Sequence, residues 1–86
     1  MKIQWDESAW NDYLYWKTQD KRTLKRINQL IQDIQRNQFS GIGKPEPLKR
    51  YEGYWSRRID DKNRLVYKIV NENVVIAACK GHYGNK

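Results

Sequence analysis

The 86-residue chain holds one cysteine, one histidine, one phenylalanine, one methionine and two prolines. The single thiol, Cys79, excludes an intrachain disulfide and leaves no paired-cysteine spacing for zinc. The single imidazole, His82, excludes a nuclease mechanism that needs two histidines. Cys79 follows Ala77 and Ala78 in an apolar run, and Ser8, Ser40 and Ser56 lie in no nucleophile motif, so covalent catalysis has no local support. Carboxylates are equally scattered. Asp60 and Asp61 stand together, and in that setting they read as turn residues rather than ligands. No metal and no cofactor are therefore expected. The sequence also lacks any run of about 20 apolar residues and any N-terminal stretch like a signal peptide, so a soluble, cytoplasmic protein without membrane association is expected, with Cys79 reduced and buried.

What the chain has in excess is positive charge, with a formal net charge of +7 and a pI near 9.7. The excess is uneven: seven Lys and Arg oppose five Asp and Glu in residues 1–43, whereas ten oppose five in residues 44–86. A polyanionic partner, nucleic acid or an acidic protein, is expected to meet the C-terminal half. Four Trp and six Tyr compensate for a modest aliphatic content, since each large ring can bury roughly 150–250 Å². At this length the chain is expected to form one domain, residues 1–86, with a small core.

The hydropathy pattern changes period along the chain. Met1, Ile3 and Trp5 alternate as in a short strand over residues 1–5. Asp6 then offers a helix cap, and Trp10, Tyr13, Leu14 and Trp16 fall near helical spacing. Asp20 can cap a second helix in which Leu24, Ile27, Leu30, Ile31 and Ile34 form one apolar stripe, so residues 7–37 read as a helical hairpin. The segment 38–53 carries Gly41, Gly43, Pro45 and Pro47 and is expected to be a loop, of a length that in so small a domain is more often functional than idle. Three strand-like runs, Tyr54 to Asp60, Arg64 to Val70 and Asn73 to Cys79, then form a meander over residues 54–79, followed by a C-terminal tail at 80–86. The expected fold is α+β: a two-helix hairpin on one face of an antiparallel four-stranded sheet, in the order β-α-α-β-β-β.

With covalent and metal routes unsupported, acid–base chemistry remains. Cleavage of RNA by its own 2′-hydroxyl needs a base, an acid for the leaving 5′-oxygen, and positive charge at the phosphate. Glu46 is a candidate base. His82, with an ordinary pKa near 6.5, is a candidate acid. Strand alternation puts Trp55, Arg57 and Ile59 on one face and Tyr54, Ser56 and Arg58 on the other, while Leu65, Tyr67 and Ile69 point inward and Arg64 and Lys68 outward. If the hairpin turn centres on Asp61, Arg58 faces Arg64, a pairing that calls for an anion. A turn centred between Asp61 and Lys62 would instead set Arg64 opposite Ile59. Lys44, Lys49 and Arg50 bracket Glu46, and Tyr51, Tyr54 and Tyr83 stand among the cations, where rings can stack on unpaired bases. The same features also fit a non-catalytic basic RNA-binding module.

Trp5, the run WNDYLYW at Trp10 to Trp16, GKPEPLK at Gly43 to Lys49, WSRRI at Trp55 to Ile59, RLVY at Arg64 to Tyr67 and AACKGHY at Ala77 to Tyr83 together resemble the YoeB (Txe) toxins of the RelE superfamily. The motifs run in family order through residues 1–83. The resemblance implies a microbial-ribonuclease-like fold and a ribosome-dependent mRNA interferase of a type II toxin-antitoxin system, which inhibits translation without a metal. By motif, Glu46 resembles the general base, His82 the general acid and Arg64 the residue stabilising the phosphate transition state. Lys49, Arg58 and Tyr83 resemble supporting contacts to phosphate or base. The implied partners are a YefM-like antitoxin, the ribosome with its mRNA and a second copy of the chain, with operator DNA met only through the antitoxin complex. The chain departs from the family pattern at Gly81, where a bulkier residue is usual, and in the extension Gly84, Asn85 and Lys86.

Overall fold

The computed structural model describes residues 1–81. Seven elements follow the chain: β1 (Ile3–Trp5), α1 (Glu7–Gln19), α2 (Lys21–Arg36), β2 (Glu46–Pro47), β3 (Trp55–Arg58), β4 (Arg64–Val70) and β5 (Asn73–Ala78). The helices meet at Asp20, whose carboxylate accepts the backbone N–H groups of Arg22 and Thr23 at 3.1 and 3.2 Å and the Thr23 hydroxyl at 2.9 Å. Asp6 occupies the corresponding position before α1, but its side chain makes no cap bond. Its backbone instead ties β1 to the sheet, with its N–H donating to the Ile76 carbonyl at 2.9 Å.

The α+β architecture is as expected, with two differences in the sheet. Five strands are ordered β1-β5-β4-β3-β2, and β1 runs parallel to β5, so the sheet is mixed rather than wholly antiparallel. The fifth strand is β2, two residues from the segment expected to be loop. Pro47 has no N–H for a ladder, and such a strand survives only at an edge, where β2 lies.

One face of the sheet carries the main core. Ala9 of α1 and Ile27, Leu30, Ile31 and Ile34 of α2 pack against Ile59, Leu65, Tyr67, Val74, Ile76 and Cys79. Four residues of the stripe expected on α2 are thus buried, and Leu24, the first of it, is half-buried. In α1 only Ala9 is buried, Trp10, Leu14 and Tyr15 are exposed, and Trp5, Trp10 and Tyr13 form an aromatic cluster with centroids 4.8–5.6 Å apart. A smaller cluster of Leu48, Val66 and Ala78, joined by Tyr54 and Ala77, occupies the opposite face.

A register shift divides those two faces. Val66 pairs with Ala78, but the next residue, Tyr67, pairs with Ile76, which leaves Ala77 as an extra residue in β5. Simple alternation would send Ala78 into the main core with Val74 and Ile76. The bulge turns Ala78 to the opposite face and lets Cys79 enter the core instead.

Candidate active site

The groups that converge on the sheet face opposite the main core are positioned by the segment between α2 and β3. Its anchor is Arg57, a fully buried residue on the core-facing side of β3. Arg57 forms an ion pair with Asp33 of α2 and donates to the carbonyls of Asn37, Ser40 and Ile42 and to the Tyr67 hydroxyl. Its five N–H donors therefore all have acceptors, the condition under which a buried guanidinium is tolerated. The Asp33 carboxylate also accepts the Ile42 N–H at 3.0 Å, and the Tyr67 hydroxyl donates to the Gln38 carbonyl at 2.7 Å. Hydrogen bonding to Arg57 holds the Asp33 carboxyl below its ordinary pKa of 3.8 against the opposing effect of burial, and burial pushes the Tyr67 phenol up.

The loop leaves this anchor through Gly43, which has φ of +80°, and whose carbonyl accepts the Arg58 N–H at 2.7 Å. A Cβ there would lie 2.7 Å from Leu30 Cδ2 and 3.2 Å from Arg57 Cβ, so both the conformation and the contact demand glycine. Pro45 and Pro47 then flank Glu46 and fix φ on each side of it. Glu46 pairs with Ser56 across β2 and β3, and the Leu48 N–H donates to the Tyr54 carbonyl at 2.9 Å.

The hairpin between β3 and β4 turns as the Asp61-centred alternative requires, and Arg58 pairs directly with Arg64. The Asp60 carboxylate shapes that turn by accepting the backbone N–H groups of Lys62 and Asn63, each at 2.8 Å. The anion called for by two facing arginines is supplied from within the protein, because each guanidinium turns to its own carboxylate. Arg58 Nη2 lies 3.2 Å from Asp61 Oδ1, and Arg64 Nη1 lies 3.2 Å from Glu46 Oε1. Arg64 Nη1 also donates to Ser56 Oγ at 3.3 Å, while its buried Nε has no hydrogen-bond partner among the described residues. The Arg64 side chain is 16% exposed and that of Glu46 53%, so the pair presents its carboxylate to solvent and keeps its cation fixed.

Beyond this pair, the described part of the chain ends at a fastened point. The Arg64 N–H donates to the Gly81 carbonyl at 2.9 Å, and the Gly81 N–H donates to Asn63 Oδ1 at 2.8 Å. Gly81 has φ of +90°, a conformation that suits glycine in place of a bulkier residue. His82, Tyr83 and the 84–86 extension lie outside the described residues. Of the residues expected at the site, Glu46, Arg58 and Arg64 are brought together, and Lys49 stands exposed just after β2. Alternation puts Arg57 on the face of β3 opposite Arg58 and by itself assigns it no role. The signal available was its parity, a cation among core-facing positions, together with Asp33 beside the apolar stripe of α2.

On the same face, next to the Glu46–Arg64 pair along β2 and β4, lies a cavity of about 290 Å³ lined by Ser8, Leu48, Tyr51, Tyr54, Val66, Ala77 and Ala78. The bulge at Ala77 and the small side chains at 77 and 78 create this space. The Lys68 ammonium lies 4.8 Å from the centroid of the Tyr54 ring. Among the described residues no group of three His, Cys, Asp or Glu side chains could hold a metal ion, and no helix is long and apolar enough to cross a membrane. Cys79 is buried against the Ala9 carbonyl, and desolvation pushes its thiol pKa up to about 12.

Known proteins are similar to this chain in sequence and fold. A family model described as the YoeB-like toxin of bacterial type II toxin-antitoxin systems matches residues 5–83. Toxin YoeB of Escherichia coli (strain K12) is 54% identical over 84 residues, covering 96% of this chain and all of that protein. Among solved structures, the YoeB/ParE toxin from Agrobacterium tumefaciens superposes with a TM-score of 0.94 at 43% identity, covering 96% of this chain and 100% of that one. The YoeB dimer from Staphylococcus aureus superposes with a TM-score of 0.91, and the toxin chain of the heterotetrameric YoeB-YefM complex from the same organism with 0.89, both at 45% identity and covering 96% of this chain and 98% of theirs. With the family model spanning nearly the whole chain and relatives above half identity, the chain belongs to the YoeB-like toxins of bacterial type II toxin-antitoxin systems.

Proposed function

We propose that this toxin is a ribosome-dependent endoribonuclease that cuts mRNA by metal-independent attack of the 2′-hydroxyl on the adjacent phosphorus. The observation that carries the reading is the Arg64 side chain, held between Glu46 Oε1 and Ser56 Oγ with Arg58 directly opposite on β3. An arriving phosphate would compete with Glu46 for Arg64, which at once neutralises the phosphate and releases the carboxylate to act as base. Glu46 takes the 2′-proton, the 2′-oxygen bonds to phosphorus, and the bond to the 5′-oxygen breaks as His82 protonates it. The products are a 2′,3′-cyclic phosphate and a 5′-hydroxyl. Arg64 stabilises the pentavalent phosphate, while Lys49, Arg58 and Tyr83 hold the flanking phosphate and base. Nothing in this scheme needs a metal, and the scattered carboxylates suit it.

The relatives named as a dimer and as a complex with YefM support two partners for this chain, a second copy of itself and a YefM-like antitoxin whose acidic groups would use the same basic face. Operator DNA would be met through that complex, and the toxin would act in the cytoplasm, where mRNA is translated. Primer extension on translated mRNA, with analysis of the fragment ends, tests the reading with the wild type, Arg64→Ala and His82→Gln. The expected result is discrete cleavage by the wild type that leaves a 2′,3′-cyclic phosphate and a 5′-hydroxyl, and its loss in both variants. A 5′-phosphate on the downstream fragment, the mark of attack by water, would overturn the 2′-hydroxyl scheme, and equal cutting by His82→Gln would remove His82 from it.

A further inference from the structure

We infer that the cavity between the start of α1 and the turn joining β2 to β3 is a subsite for one unpaired nucleobase of the RNA strand, with Tyr51 as its stacking wall. The inference rests on the proposed RNA substrate and adds to it where a base is held. Three observations carry it. First, the cavity opens on the same sheet face as the Glu46–Arg64 pair: Leu48 lies two residues beyond Glu46, and Val66 two residues beyond Arg64 on the same side of β4. A strand with its phosphate at Arg64 therefore runs past the cavity mouth. Second, the lining matches a base. Leu48, Val66, Ala77 and Ala78 give apolar walls, and Tyr51 and Tyr54 are brought to the rim by a turn in which the Tyr54 N–H donates to the Tyr51 carbonyl at 3.0 Å. Tyr51 is 53% exposed, an open ring face in a wall that is otherwise filled. Ser8 adds a hydroxyl, which now donates to the Ala77 carbonyl at 3.3 Å and can rotate to a base edge. Third, the charge around the cavity suits a nucleic acid, with Lys68 over Tyr54 and with Lys49 and Arg50 exposed in the same connection. The volume of about 290 Å³ lies at the lower end of small-ligand sites, suited to a single ring system rather than a helix or a folded segment.

The subsite is tested by binding rather than by cleavage. A 2′-deoxy-substituted trinucleotide that cannot be cut is titrated against the full chain, alongside the same oligonucleotide with each base removed in turn, and the methyl signals of Leu48, Val66 and Ala78 report occupancy. Loss of one particular base is expected to weaken wild-type binding by roughly 5- to 150-fold, the range of a base–aromatic stack. Tyr51→Ala, which removes an exposed ring, and Ser8→Leu, which fills the cavity from a surface helix, should erase that difference while still binding the abasic oligonucleotide. Equal wild-type affinity for all the oligonucleotides would overturn the subsite, as would a Tyr51→Ala loss of the same size with and without the base. Variants that keep base discrimination but lose affinity for the antitoxin would reassign the cavity to a peptide side chain and also overturn it. A protein that discriminates the base here yet cuts no mRNA would refute the endoribonuclease and leave the subsite standing.

Discussion

Asp33 on α2 and Arg57 on β3 form an ion pair around which the whole approach to Glu46 is wound. The Arg57 side chain is completely buried, and the carbonyls of Asn37, Ser40 and Ile42 close on it from the loop. Breaking a buried pair from one side leaves the other charge without compensation, at a cost of about 3–5 kcal/mol. Asp33→Ala is expected to lose stability on that scale in a urea titration, a large part of the 5–15 kcal/mol typical of a domain. Arg57→Lys should also destabilise, because an ammonium cannot reproduce the forked geometry that reaches five acceptors. A urea midpoint for Arg57→Lys equal to that of the wild type would show that the loop does not depend on the guanidinium.

The same pair contributes to the acid sensitivity of the fold. Hydrogen bonding to Arg57 keeps the folded-state pKa of Asp33 below 3.8, so the unfolded chain binds a proton at this carboxyl before the native one does. The resulting stability is fully present above about pH 4 and is lost as pH falls through the depressed native value. Urea midpoints measured from pH 7 down to pH 2 should therefore drop for the wild type below about pH 4. In Asp33→Asn, which has no proton to bind at that position, the drop should be shallower and the gap to wild type should narrow. Parallel curves for the two proteins would assign the acid limit to other carboxylates.

The two capping aspartates separate position from contact. Asp20 makes three hydrogen bonds to the first turn of α2, and these hold its pKa below the ordinary value, whereas Asp6 makes no side-chain cap bond. Asp20→Ala should lower the melting temperature and Asp6→Ala should leave it within error. An equal drop in both would mean that the charge near the helix start, rather than the cap bond, matters.

Periodic features of the fold were legible because they depend on neighbours in sequence. The α2 stripe and the three-strand meander follow from spacing, whereas the turn residues Asp60 to Asn63 allowed two registers and only the strand pairing sets Arg58 opposite Arg64. Three features were not legible, each because it depends on contacts distant in sequence. The strand at Glu46–Pro47 exists only because β3 offers it an edge, β1 joins the sheet only because β5 has a free edge and runs parallel because of the path of the chain between them, and the bulge at Ala77 becomes visible only when two strands are set in register. The site divides the same way. Arg64 could be placed by parity, but the buried anchor at Arg57 needed Asp33, 24 residues away, to be intelligible. Exclusion makes His82 a candidate acid and its basic surroundings make Tyr83 a candidate stacking ring, but their specific roles rest on motif, and both lie outside the described residues.

Cys79 offers a test of the core itself. The bulge at Ala77 turns this thiol inward, and desolvation lifts its pKa from 9.0 to about 12. Thiolate is the reactive form, so native protein at pH 8 should resist alkylation by iodoacetamide, while urea-unfolded protein should be labelled at the rate of a free thiol. Rapid labelling of the native protein would place Cys79 at an exposed or opening edge and would contradict the register of β5.

Glu46 and Arg64 should separate chemistry from stability, because their ion pair is partly open to solvent and such pairs contribute at most about 1 kcal/mol. The proposed roles assign them far more in the reaction: a positioned base accounts for about 10²- to 10⁴-fold in rate, and one preorganised charge for about 10²- to 10³-fold. Glu46→Gln keeps the shape and one hydrogen-bond acceptor for Arg64, yet cannot take the 2′-proton. It is expected to lower cleavage of translated mRNA by at least about 10²-fold with an unchanged urea midpoint. Arg64→Ala should lower cleavage at least as far, and because Arg64 meets the phosphate in the ground state as well as the transition state, it should weaken RNA binding where Glu46→Gln does not. If Glu46→Gln cut at the wild-type rate, the carboxylate would be no more than a resting partner for Arg64, and the base would have to be sought elsewhere on this face.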